Sequence, residues 1–82
     1  MTHKFKIGDR VRVIKIDNNK FYGTAKYKVG DVGTIVRCGF TYTHGNDYLI
    51  EFDQLKKTGT RYDWYALENW ILPVANILIK CE

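Results

Sequence analysis

Cys38 and His44 are six residues apart and are the only nucleophile and base in this chain that a short hairpin could bring together. A thiol beside an imidazole is the minimum for covalent acyl transfer, because the base must strip the proton before the sulfur attacks. The chain has no serine, which removes the Ser-His-Asp arrangement outright. Two histidines and two scattered cysteines, with no CxxC pair, make a poor ligand set for a metal. Asp47, Glu51, Asp53 and Glu68 have no spacing that would converge two carboxylates on one substrate. The residue types therefore predict a protein without catalysis, metal or cofactor, in which Cys38 is a small strand residue and His44 a loop-tip side chain.

A binding surface is the alternative use of the side chains. Residues 17–29 read DNNKFYGTAKYKV, and within them Lys20, Phe21, Tyr22, Lys26, Tyr27 and Lys28 interleave rings with cations. Flat rings stack on bases or on prolines of a peptide, and lysines add long-range attraction. Tyr42 and His44, in the turn-rich stretch that follows the second predicted strand, are expected to border the same groove. A second candidate patch is Lys56, Lys57 and Arg61 with Tyr62 and Tyr65. The competing reading puts Phe21 and Tyr27 over an open end of the core with the lysines merely solvated.

The elements that position these residues start from a phrase that occurs twice, KIGDRVRVI at 6–14 and KVGDVGTIV at 28–36, at an offset of 22. In each copy a Gly-Asp turn launches a β-branched run, since glycine tolerates positive φ and aspartate bonds neighbouring amides. Strands are predicted over 10–16, with a bend near Val13 and Ile14 where the alternation slips, and over 32–38, 48–53, 61–66 and 71–74. Tyr48, Ile50 and Phe52 share one face of the third, and Trp64 and Ala66 the inner face of the fourth. Residues 54–60 read as a basic turn and LENW at 67–70 as one helical turn, while Pro73 places the fifth strand at a sheet edge. The tail at 76–80 is expected to add a sixth strand. Such a set describes an all-β, small SH3-like barrel of five to six short antiparallel strands in a single domain over 1–82.

The phrases FKIGDRVRV, VGTIVR, YLIEFD and LENWILPV, in that order, resemble the SH3-like barrels of the nitrile hydratase β subunit and of electron-transport accessory proteins. That resemblance implies an accessory, non-enzymatic role, because the metal ligands of nitrile hydratase lie in its other subunit. GDRVRV and VGTIV are also similar to KOW barrels, which implies nucleic-acid binding in transcription or translation. A KOW module keeps a short glycine turn where this chain carries DNNKFYGTAKYKVGD.

Composition bounds the rest. Eighty-two residues, 45% hydrophobic and 15% aromatic, suit one domain that buries roughly two-thirds of its unfolded surface. Residues 1–37 carry nine Lys or Arg against three Asp, and 38–82 four against six, so the net +4 is concentrated early in the chain. A basic half suits phosphates or an acidic protein surface. The first residues lack an apolar leader and no run approaches the roughly 18 residues of a membrane span. With two cysteines read as reduced thiols, the expectation is a cytoplasmic protein that binds no membrane and no small-molecule substrate. Its Asn, Lys, Ile and Tyr content suits a bacterial or phage accessory protein. Two functions are carried forward: an adaptor that docks on a larger protein assembly, and a nucleic-acid-binding barrel using Lys15, Lys20, Lys26, Lys28 and Arg37.

Overall fold

Gly8 and Gly30 have φ of 97° and 100°, a region open to glycine and strained for other residues. Each sits in a turn closed the same way. The Asp9 amide donates to the Lys6 carbonyl at 3.0 Å and the Asp31 amide to the Lys28 carbonyl at 3.0 Å. The aspartate side chains reach back to the Lys6 and Lys28 amides, also at 3.0 Å. The repeated phrase is thus a repeated turn in which Asp satisfies the amide that opens it.

The computed structural model describes residues 2–17, 26–59 and 61–74. It contains strands β1 (Arg10–Val13), β2 (Val32–Thr41), β3 (Gly45–Phe52), β4 (Asp63–Leu67) and β5 (Ile71–Pro73), the single-turn helix α1 (Asp53–Lys56) and a 3-10 turn at Glu68–Trp70. The strands form one antiparallel sheet in the order β4-β3-β2-β1-β5. Laid flat, its two edge strands would be about 19 Å apart at the usual strand spacing. Yet β4 and β5 are joined only by the 3-10 turn, so the sheet must curl until its ends approach. The result is a small barrel-like all-β fold.

The two turns also dock reciprocally. Gly8 donates to the Ile35 carbonyl and Asp9 accepts from the Ile35 amide, while Gly30 donates to the Val13 carbonyl and Asp31 accepts from the Val13 amide, all at 2.8–2.9 Å. Val13 and Ile35 are themselves 22 residues apart, and the β1–β2 register pairs Val11 with Gly33, also 22 apart. The repeat therefore builds a local two-fold about the Val11–Gly33 pair. Gly33 is required there by close approach: a Cβ would lie 2.5 Å from the Glu51 carbonyl oxygen and 2.6 Å from Ile50 Cγ2.

Burial follows the alternation. Val11, Val13, Ile35, Tyr48, Ile50, Phe52 and Ala66 are at most 1% exposed, joined by Phe5, Tyr27, Leu67, Trp70 and Ile71 in one core. A register shift between Ile35 and Arg37 marks a bulge at Val36. Beyond it the inward parity changes, so Arg37 faces out and Cys38 packs on the core.

Several predicted boundaries move for identifiable reasons. The first strand ends at Val13, because the Ile14 amide donates to the Trp70 carbonyl of the 3-10 turn at 2.7 Å. The second runs on to Thr41, since residues 39–41 pair with 45–47 across the turn at 42–44. The fourth starts at Asp63 rather than residue 61, the Arg61 Nε being committed to the Asp63 carbonyl and carboxylate. The stretch expected as a basic turn opens with α1. Trp64 is only partly buried, beside a fully buried Ala66. β5 lies at the sheet edge, as Pro73 requires. The tail at 76–80 lies outside the described residues.

Candidate functional site

Of residues 17–29 the structure describes 17 and 26–29, and Lys20, Phe21 and Tyr22 lie outside the described residues. Tyr27 departs from the expectation of a binding ring and takes the competing place over the core. It is 3% exposed, stacks on Phe52 with centroids 4.4 Å apart and planes 20° off parallel, and its hydroxyl donates to the Tyr65 carbonyl at 2.8 Å. Burial pushes its pKa well above the usual phenol value. Tyr27 is a core residue that ties the chain entering the second Gly-Asp turn to β4. Its neighbours Lys26 and Lys28 are exposed.

The β2–β3 hairpin carries the most exposed ring among the described residues. Tyr42 is 99% exposed, and Phe40, 39% exposed, meets it edge to face at 5.5 Å. The turn beneath them is tied by the Thr41 hydroxyl, which accepts from the His44 amide at 3.1 Å. His44 is half-buried. It lines a cleft of about 330 Å³ with Lys4, Asn46, Glu68 and Asn69, and a second of about 300 Å³ with Lys15, Asp17, Asn69 and Trp70.

The structure does not assemble a Cys-His pair. Cys38 lies opposite Tyr48 in the ladder and its Sγ points to the Phe5 carbonyl at 3.8 Å. The turn that holds His44 begins some three ladder steps further on, about 10 Å along the strand. Burial raises the Cys38 pKa, with the Asp9 charge adding to it, the opposite of what a nucleophilic thiolate needs. Among the described residues no three His, Cys, Asp or Glu side chains are placed to hold a metal ion, and no helix is long and apolar enough to cross a membrane.

A polar cluster that the sequence did not signal holds the N-terminal segment against this end of the barrel. The Glu68 Oε2 accepts from the Tyr48 hydroxyl at 2.5 Å, the Lys4 amide at 2.9 Å and Asn46 Nδ2 at 3.1 Å. The Tyr48 oxygen in turn accepts from the Lys4 and Phe5 amides at 3.1 and 3.2 Å. Burial alone would raise the Glu68 pKa, but the Tyr48, Lys4 and Asn46 donors outweigh it and hold the carboxyl below its usual value. Burial first, and then the Glu68 carboxylate, push Tyr48 up to about 12. His3 adds a contact from Nε2 to the Gly39 carbonyl at 2.7 Å and an edge-to-face ring contact with Tyr48. Its members come from the N-terminal segment, the β2–β3 hairpin and the 3-10 turn, far apart in sequence, so no local spacing could reveal them.

The second predicted patch separates into pairs. Lys56 reaches Glu51 at 3.4 Å and lies 5.5 Å over the Tyr62 ring; Tyr65 is half-buried and Lys57 is exposed. Arg61 pairs with Asp63 through Nε at 3.0 Å and lies 5.0 Å over the Trp64 ring. Arg61 and Lys26, one from each predicted patch, meet instead at a groove of about 290 Å³ whose other walls are Leu55, Thr58 and Trp64.

No family model, curated protein or solved structure matches this chain, so its function is argued from this geometry.

Proposed function

We propose that this chain is a non-enzymatic docking module that binds a larger protein assembly through the tip of its β2–β3 hairpin. The observation that carries this reading is the fully exposed Tyr42 braced edge to face by Phe40. A ring held in water, as Tyr42 is, gains little for the fold. Covered by a partner, a tyrosine of this kind contributes about 2 kcal/mol or more, and tyrosine is among the residues that dominate interface energies. The hairpin is also stiff: its residues 39–41 and 45–47 are fully laddered, and its base is tied by the Tyr48–Glu68 cluster. A rigid protrusion loses little conformational entropy on binding. The resemblance to accessory barrels supports an accessory role, and the Asn, Lys, Ile and Tyr content a bacterial or phage origin.

The nucleic-acid reading draws on Lys15, Lys26, Lys28 and Arg37, which make no ion pair among the described residues. Lys15 lines the cleft beside His44 and Lys26 the groove beside Arg61, on separate parts of the surface. That dispersal favours the protein reading.

Affinity capture from lysate of the source cells, quantified for wild type and Tyr42→Ala, tests it. The expected result is a specific protein retained by wild type and reduced at least tenfold by Tyr42→Ala, with unchanged circular dichroism. Equal recovery of every captured protein by a folded Tyr42→Ala would overturn the hairpin assignment.

A further inference from the structure

We infer that the groove between α1 and β4 receives an acidic peptide segment of a partner, with one apolar side chain on the Leu55–Trp64 floor and a neighbouring carboxylate between Lys26 and Arg61. The inference rests on the docking reading only in taking the occupant to be protein; it concerns a surface separate from the hairpin tip.

The groove, about 290 Å³, combines an apolar floor with a cationic rim. Leu55 comes from a one-turn helix with no buried residue, so it covers the core only in part and remains available to an occupant. Trp64 packs its body on the same core and leaves its Nε1–H buried with no acceptor among the described residues. A buried donor without a partner is unfavourable, which is a reason for a shift of the ring that pairs it when an acceptor arrives.

Charge selects the occupant. Among the described residues Arg61 bonds Asp63 through Nε alone, which leaves its two terminal amino groups for a bidentate carboxylate. Lys26 makes no ion pair among the described residues, so the rim carries two positive charges, one of them unpaired there. A nucleic-acid strand fits less well, because one small groove with two rim cations offers no run of charges to track a phosphate backbone. A basic peptide is repelled, and a purely apolar one leaves the cations unused.

The test titrates the full ¹⁵N-labelled chain with an acetylated, amidated five-residue peptide of one phenylalanine between two pairs of aspartates. Saturable shifts are expected at the Trp64 indole N–H and at the Leu55, Thr58 and Arg61 amides. Replacing the phenylalanine by alanine should weaken binding about tenfold, the worth of burying one ring. Lys26→Gln and Arg61→Gln, both exposed, should each weaken it about threefold, as for an exposed charge pair. No shift at Trp64, equal shifts with lysines in place of the aspartates, or equal shifts with a short oligothymidylate would each overturn the assignment. Tyr42→Ala should leave this titration unchanged. A failed titration with Tyr42-dependent capture intact therefore removes the groove and leaves the hairpin reading standing.

Discussion

Tyr48→Phe removes one oxygen from the polar cluster at the hairpin end of the barrel and tests whether that cluster holds the N-terminal segment. The hydroxyl donates to the Glu68 carboxylate and accepts from the Lys4 and Phe5 amides. Lys4 keeps Glu68 as an acceptor, whereas the buried Phe5 amide is left without its partner. Losing a hydrogen bond to a charged group costs about 1.5–3 kcal/mol, and stranding a buried amide about 1 kcal/mol or more. Partial relaxation of the segment offsets some of this, so the expected loss is about 2–3 kcal/mol in urea unfolding, a drop in Tm of roughly 10–20 °C for a domain of this size. The loss should also depend on pH. The folded Glu68 carboxyl lies below its ordinary 4.5, so it contributes stability above pH 4.5 that is lost as pH falls through the lower folded value. Tyr48→Phe weakens that depression, and the difference between the two proteins should shrink under acid. A Tyr48→Phe protein within 0.5 kcal/mol of wild type at neutral pH, or an equal difference at pH 7 and in acid, would refute the reasoning.

Three further outcomes follow from the same geometry. Tyr27→Ala should cost about 3–5 kcal/mol and broaden the Phe52 signals in NMR, while Tyr27→Phe, which loses only the bond to the Tyr65 carbonyl, should cost about 1 kcal/mol. Gly33→Ala forces a methyl against the Glu51 carbonyl, a backbone atom that cannot swing aside, and should destabilise by about 1–3 kcal/mol by chemical denaturation. Cys38 should alkylate more slowly than a free thiol at pH 7 and accelerate only as pH rises past the ordinary thiol range, because burial disfavours its thiolate; reaction at the rate of an unstructured cysteine would contradict the packing.

The strands and the paired turns were legible because each rests on local chemistry: β-branched alternation, Gly-Asp turns, and a proline at an edge. Tyr48, Ile50 and Phe52 could be assigned to one buried face by period alone. Period left Tyr27 open between a surface ring and a cap on the core, because its stretch has neither helical nor strand period, and its stacking on Phe52 decides for the core. The Val36 bulge hid the change of face between Ile35 and Cys38 for a similar reason, because one extra residue leaves composition unchanged while reversing parity. The cationic patches were recognised by residue type but grouped along the chain. Folding regroups them, joining Lys26 to Arg61 and separating Lys56 into a pair with Glu51. Tyr42 and His44 were placed on the right hairpin, and the cleft walls that reach His44 from Lys4 and Glu68 arise only from tertiary contact.

The central claim is that the hairpin tip is the docking surface, and site-specific photo-crosslinking in the source cells tests it most directly. A benzophenone side chain at position 42 replaces one exposed ring by another, and the same group at position 6 serves as an exposed control. One discrete protein adduct is expected from position 42 and none from position 6. An adduct from both positions, from position 6 alone, or from neither would contradict it.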